Sequence, residues 1–246
     1  SDRDIYVFEN PGYEWYYRDT TNITFKDRWD ETNVIQSSYS ILGWDVGDVD
    51  RDGNADVAIA PSGGYNSEIY YYNNQGSSSW KRYGVVSYTV YYPKDVTLVD
   101  LDGDDYLDVF FASGNYYYYN NIGWCKNGGN PNRSNWPSST LMSGHDDSGT
   151  VAFTGDVNSD GYNDTGYFFT SNRQIIVWKN SDPYDGSNIE PGFIEDGGLA
   201  QMSDLVRVDI DGDGDLDALV GDELYGPAAV WLNDGSGVFD DSGQRL

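Results

Sequence analysis

Four nine-residue acidic segments align along this chain without gaps: Asp48-Val-Asp-Arg-Asp-Gly-Asn-Ala-Asp56, Asp100-Leu-Asp-Gly-Asp-Asp-Tyr-Leu-Asp108, Asp156-Val-Asn-Ser-Asp-Gly-Tyr-Asn-Asp164 and Asp209-Ile-Asp-Gly-Asp-Gly-Asp-Leu-Asp217. Their starts lie 52, 56 and 53 residues apart. A period in the fifties leaves room for several strands per unit. It points to propeller blades rather than to a solenoid of shorter repeats.

The flanks repeat as well. An apolar stretch precedes the acidic segment, as in Ser40-Ile-Leu-Gly-Trp44 and Asp204-Leu-Val-Arg-Val208. Another follows it: Val57 to Ala60, Val109 to Ala112, Thr165 to Phe168 and Ala218 to Gly221. An aromatic strand ending in Asn comes next, at Ile69 to Asn73, Tyr116 to Asn120, Ile175 to Asn180 and Ala229 to Asn233. A more polar segment, such as Trp80 to Val86, closes the unit. The unit is thus expected to hold four strands, A to D, with the acidic loop joining A to B. Continuous apolar runs in A and B predict burial on both faces near an axis. A polar D strand suits an outer edge, where charge discourages edge-to-edge pairing. The expected blades of this single domain are residues 1–37, 38–92, 93–148, 149–202 and 203–246.

Composition agrees with an all-β chain. Among 246 residues there are 22 Tyr and 29 Gly, which favour many short strands. The length supports a core without disulfides. Acidic side chains outnumber basic ones 41 to 14, for a net charge of -27. That balance excludes the positive footprint nucleic-acid binding needs and disfavours anionic membranes. No apolar run reaches the roughly 18 residues of a membrane span. The opening Ser1-Asp-Arg-Asp4 is no signal peptide, so an exported, extracellular or cell-surface protein is expected to have lost its signal already. One Cys and one His rule out an internal disulfide, an imidazole-rich zinc site and any two-histidine catalysis.

Each acidic loop places oxygen-bearing side chains at positions 1, 3, 5 and 9. Carboxylates gathered this closely repel one another unless a cation intervenes. Calcium takes six to eight oxygens in irregular geometry, whereas magnesium demands a tight octahedron. The expected ligands are therefore Asp48, Asp50, Asp52 and Asp56; Asp100, Asp102, Asp104 and Asp108; Asp156, Asn158, Asp160 and Asp164; and Asp209, Asp211, Asp213 and Asp217. Carbonyls of Asn54, Tyr106, Tyr162 and Asp215, at position 7, would complete the shells. About four Ca²⁺ would move the charge from -27 to -19. The alternative is four solvated acidic turns. Position 6 is Gly except at Asp105, which must adopt the left-handed region at some cost. Asn158 supplies a neutral oxygen, so the third site should be the weakest.

The pattern Asp-x-Asp-x-Asp-Gly-x-x-Asp before an apolar strand resembles the FG-GAP/VCBS repeat of integrin α-subunit propellers and of bacterial, archaeal and fungal surface proteins and lectins. The resemblance covers about residues 40–240 and is most specific in the loops. It implies a β-propeller of four-stranded blades with calcium in the A–B loops. The Phe-Gly and Gly-Ala-Pro signatures of the strict integrin type are absent, so the likeness is to the broader VCBS group and implies no integrin-like partners.

Other features carry less. Asp and Glu are so abundant that glycosidase-like pairs can be drawn anywhere, and none stands in a recognisably apolar setting. His145 in Ser143-Gly-His-Asp-Asp147 reads as a solvated loop residue, so no enzyme is expected. Cys125 falls in the stretch from Gly123 to Trp136, the longest departure from the repeat. That stretch is expected to be a loop with a packed thiol, or else a binding loop. Asn22-Ile-Thr24, Asn132-Arg-Ser134 and Asn163-Asp-Thr165 match the glycosylation sequon, the last overlapping an acidic loop. Alternate members of the run Tyr116 to Tyr119 would pack between blades, leaving the others as a shelf for sugar rings.

Two function classes follow. One is a non-catalytic binding or adhesion module, most plausibly for carbohydrate or a surface glycoprotein. The other is a structural subunit of a cell-surface or filamentous assembly, with a domain of a polysaccharide-degrading enzyme as a weaker third. Ring closure separates the options further. Ile5 to Asn10 matches strand C and Trp15 to Arg18 strand D of a blade without A and B. With a short last D strand at Val238 to Asp241, the expected total is eighteen strands, where five full blades need twenty. The expected arrangement is five-blade-like with an incomplete first blade, the alternatives being a piece of a longer propeller or strands supplied by another chain. Its open edge would allow self-association.

Overall fold

In the computed structural model, the structure describes residues 4–9, 30–36, 40–61, 68–76, 79–85, 90, 92–115, 118–132, 136, 138–143, 149–169, 174–180, 190–194, 202–222 and 228–246. Among them lie eighteen strands and no helix. Among the described residues the apolar runs that flank the acidic segments lie in strands, and those Asp- and Gly-rich segments turn the chain back. All sheets are therefore antiparallel meanders. Sheet one comprises β3 (Ile41–Gly47), β4 (Asp56–Pro61), β5 (Tyr70–Asn74) and β6 (Trp80–Gly84). Sheet two comprises β7 (Pro93–Val99), β8 (Asp108–Asn115), β9 (Tyr118–Lys126) and β10 (Ser138–Ser143). Sheet three is β11 (Gly149–Gly155), β12 (Asp164–Phe169), β13 (Gln174–Lys179) and β14 (Glu190–Ile194). Sheet four is β15 (Met202–Val208), β16 (Asp217–Asp222), β17 (Ala229–Asn233) and β18 (Phe239–Arg245). A two-stranded sheet of β1 (Asp4–Glu9) and β2 (Asp30–Gln36) precedes them.

The first strands of successive sheets lie side by side: β3 against β7, β7 against β11, β11 against β15. Close approach is set by small residues. A Cβ on Gly43 would fall 2.5 Å from the Asp95 Cα, so β3 can meet β7 only with Gly there. Asp45 then accepts bonds from the Leu98 N–H at 2.8 Å and the Thr97 hydroxyl at 3.0 Å. Asp95 repeats the device, accepting from the Ala152 N–H at 2.8 Å. Behind these strands the core of sheets one and two packs Val49, Ala58, Tyr71, Val96, Phe111 and Trp136.

The structure corrects several expectations. In sheet two the third strand is β9 and ends beside Asn127, not at Asn120. The Tyr run imitates the end of strand C, but the segment from Ile122 to Asn127 is the true counterpart of Ile175 to Asn180. Sheet one is off by one residue: Asn74, not Asn73, closes its third strand. Cys125 accordingly sits in β9 and in the core, not in a loop, and burial pushes its thiol pKa up, away from reactivity. Trp124 and Trp136 are buried, so they are unavailable as a binding surface. The Trp136 indole instead donates to the Pro131 carbonyl at 3.1 Å. The partner of β1 is Asp30–Gln36, whereas Trp15 to Arg18 lies outside the described residues. So do His145, Tyr116 and the Asn22 sequon. Finally, β4 is buried throughout as expected, but β3 and β15 each turn an exposed apolar face away from their neighbouring sheet. A strand needs a sheet on both sides to be buried on both faces, and these two stand at the ends of the row.

Candidate metal centres

The A–B loops join β3 to β4, β7 to β8, β11 to β12 and β15 to β16. All four wind in the same way. The position-1 carboxylate accepts amide N–H groups from the turn it encloses. Asp48 takes those of Asp52 and Gly53 at 3.0 and 2.9 Å. Asp100 takes Gly103 and Asp105, both at 2.8 Å. Asp156 takes Asp160 and Gly161, and Asp209 takes Gly212 and Gly214. Position 5 caps position 7: Asp52, Asp104, Asp160 and Asp213 accept from the N–H of Asn54, Tyr106, Tyr162 and Asp215 at 2.8 to 3.0 Å.

This winding needs positive φ twice per loop. Position 6 has it at Gly53, Asp105, Gly161 and Gly214, as the sequence predicts, with Asp105 at 66°. Position 4 has it too, at Arg51, Gly103, Ser159 and Gly212. That second requirement was missed. Its only sequence signal is the Gly at two of the four positions.

Position 9 is the buried end of each site. Asp56, Asp108, Asp164 and Asp217 are all at most 1% exposed. Each spends one oxygen on the position-2 N–H and the other on the N–H of the Asn closing the third strand. For Asp108 these are Leu101 at 3.1 Å and Asn127 at 2.7 Å. For Asp217 they are Ile210 at 2.7 Å and Asn233 at 2.9 Å. Desolvation raises the pKa of Asp56 to about 6, of Asp108 to about 7 and of Asp164 to about 6, against the pull of those backbone bonds.

Positions 1, 3 and 9 converge. Asp48, Asp50 and Asp56 offer oxygens within 4.8 Å of one another, as do Asp100, Asp102 and Asp108, and Asp209, Asp211 and Asp217. In the third loop the position-3 donor is Asn158, which gives its side-chain amide N–H to Asp160 at 3.0 Å. Position 5 is turned to its own cap rather than grouped with these triads.

The donor set fits a hard cation. It consists of oxygen atoms alone, and Asp102 Oδ1 is buried without a hydrogen-bond partner. Positive charge is drawn to the same place: Lys126 Nζ pairs with Asp102 and lies 3.2 Å from Asp104. In sheet one the residue at that position is Asn73, whose amide donates to Asp50 at 2.6 Å.

Residues 48–111 match the family model described as the FG-GAP-like repeat. The match starts at position 1 of loop one and takes in the whole of loop two, including its buried Asp108. No curated protein matches the chain. Among solved structures it is similar to one titled for the specific recognition of non-reducing terminal N-acetylglucosamine by an Agrocybe aegerita lectin, with 15% identity and a TM-score of 0.47. That likeness covers 96% of this chain and 72% of the other.

Proposed function

We propose that this chain is a calcium-stabilised β-propeller that works outside the cell as a non-catalytic binding or adhesion module. The observation that carries the reading is the threefold convergence of carboxylates at positions 1, 3 and 9 of the loops. Each triad joins the two inner strands of one sheet, where unneutralised charge would oppose folding. Calcium would be held by the position-1, -3 and -9 side chains, with positions 5 and 7 within the same turn. It would supply charge neutralisation and a rigid loop, not a reaction.

The ligand class we propose is carbohydrate or a surface glycoprotein. With Trp124 and Trp136 buried, recognition falls to the loop rim. There Arg51 stacks 5.0 Å over the Tyr106 ring, and Asn132 donates to Asp50 at 3.1 Å, joining the loops of sheets one and two. A glycan array read with and without calcium tests this. Calcium-dependent binding of defined glycans is expected, and silence across the array with the folded, calcium-loaded protein would remove carbohydrate from the reading.

A second reading, a structural subunit of a larger assembly, is favoured by the exposed apolar faces of β3 and β15. Chelation separates scaffold from ligand. Metal bound only to the native state stabilises by about 2.7 kcal/mol per site at a hundredfold excess over Kd, so EDTA should lower the melting temperature markedly whatever the ligand.

A further inference from the structure

The connection between the third and fourth strands of sheet two is a long one. Residues 127–137, eleven of them, separate β9 from β10, whereas five separate β5 from β6 (75–79) and β17 from β18 (234–238). The extra length reaches sheet one. Trp136 buries its ring in the shared core, edge-on to Tyr71 at 6.1 Å between centroids. Its backbone N–H donates to the Val85 carbonyl at 3.1 Å. Nearer the start, Gly129 has a φ of 76° and lies against the Tyr106 ring, where a Cβ would stand 3.3 Å away. Pro131 between these anchors is buried, and its carbonyl accepts the Trp136 indole N–H. Asn132, the next residue, is thereby held over loop one.

Sheet two therefore fastens loop one at two successive positions. Asn127 Nδ2 donates to the Val49 carbonyl at 3.0 Å, and Asn132 Nδ2 to Asp50 Oδ2 at 3.1 Å. Asn74 closes the third strand of sheet one, at the end of the row. Among the described residues its amide donates only to Ala55 of its own loop, at 3.2 Å. The Asp50 oxygen that meets Asn132 also accepts from Asn73 Nδ2, at 2.6 Å. Asn73 is buried and locked by a second bond to the Tyr71 hydroxyl at 2.9 Å. Asn132 differs: it is exposed, and its amide makes one bond among the described residues. It can turn where Asn73 cannot.

A half-turn of a side-chain amide exchanges its N–H donors for its carbonyl oxygen. Two oxygens about 2.4 Å from one calcium stand roughly 3 Å apart when they are neighbours in its shell. The 3.1 Å between Asn132 and Asp50 is already that spacing. There is room for such a ligand, because calcium takes six to eight oxygens and the converging side chains are Asp48, Asp50 and Asp56. Loop two shows what a position-3 carboxylate attracts. There Lys126 sets an ammonium beside Asp102, whose Oδ1 is buried with no hydrogen-bond partner.

We infer that the Asn132 amide oxygen is a further ligand of the loop-one cation, which rests on the calcium reading of the acidic loops. Site one is then closed by a residue of another sheet, and its cation ties sheets one and two together. The long connection after Asn127 acts as the closing arm. Loop four has no equivalent of it, since the connection after Asn233 is a short turn.

Terbium in place of calcium reads this directly, because its luminescence lifetimes in H2O and D2O count the waters on the bound ion. Asn132→Ala should add about one bound water to the total and weaken calcium at one site by about tenfold in isothermal titration. Its metal-free melting temperature should stay near the parent's, since the side chain is exposed. Asn132→Asp should restore the parent water count and bind calcium more tightly than the parent, a carboxylate replacing a neutral oxygen. Amide exchange at residues 128–132 should slow on calcium binding in the parent and not in Asn132→Ala. An unchanged water count and affinity in Asn132→Ala would overturn the proposal. So would a lowered metal-free melting temperature with affinity intact, which would make Asn132 a strut between sheets. A parent protein that binds neither calcium nor terbium would instead sink the calcium reading, before any variant is compared.

Discussion

The Asn180 side-chain amide donates to the Leu101 carbonyl at 2.9 Å and to the Asn163 carbonyl at 3.3 Å, while its backbone N–H is held by Asp164 at 2.5 Å. One residue thus ties the third strand of sheet three to its own acidic loop and to the loop of sheet two. The same latch recurs at Asn127 and Asn233. The acidic loops and the sheet junctions are one structure.

Removing the latch should therefore cost stability at the junction. Asn180→Ala leaves the Leu101 and Asn163 carbonyls short of a donor, at about 1–3 kcal/mol per buried unsatisfied group. A drop of about 2–4 kcal/mol in denaturant unfolding is expected, larger than for Asn74→Ala at the unmatched end. Equal losses at both positions would contradict the junction role.

Calcium should reverse the sign of the pH dependence. Without metal, Asp56, Asp108 and Asp164 have folded pKa values of about 6, 7 and 6, above the ordinary 3.8. The native state then binds more protons than the unfolded chain between about pH 4 and 7, so stability falls as pH rises through that window. With calcium bound, protons compete with the metal for the same oxygens, and stability should fall as pH drops. Melting curves from pH 5 to 8 in EDTA and in calcium check this. Slopes of the same sign would refute metal binding at the buried aspartates.

Lys126 should weaken the second site. Its ammonium already occupies Asp102 and Asp104, so an incoming cation must displace it. Lys126→Gln is expected to tighten one of the calcium sites by about tenfold and to lower metal-free stability, since two close carboxylates lose their counter-ion. Isothermal titration reads the first effect and thermal melting the second. Unchanged affinity would place calcium away from Asp102.

Asp105→Gly should stabilise the protein. Asp105 holds a φ of 66°, a side chain in the left-handed region costs roughly 1 kcal/mol, and glycine occupies this position in the other three loops. Among the described residues the one ion pair at stake is a 4.0 Å contact with Arg51, and both side chains are well exposed. A gain of about 0.5–1 kcal/mol in chemical denaturation is expected, and a loss would assign that pair a greater role than its geometry suggests.

Much of this molecule is legible in the sequence because the acidic loop dictates its own conformation. Nine residues carry the turn and the carboxylates between the flanking strands, and their interactions span only a few positions, so four copies announce four hairpins. The sixteen strands of the four full sheets follow from the same repeat, whereas β2 is not the strand the sequence offered beside β1. What the sequence left undetermined depends on contacts between residues far apart in the chain. Asn127 rather than Asn120 closes the third strand because Asp108 and Val49, 19 and 78 residues away, choose between two similar Asn-ended runs. Cys125 and Trp136 are core residues because sheet one packs against them, although their segment reads as an insertion. Trp44 and Val46 look like any other inner-strand side chains, yet they face water while Val57 beside them is buried. Burial is a property of neighbours, and only the tertiary arrangement decides which sheet has one on each side.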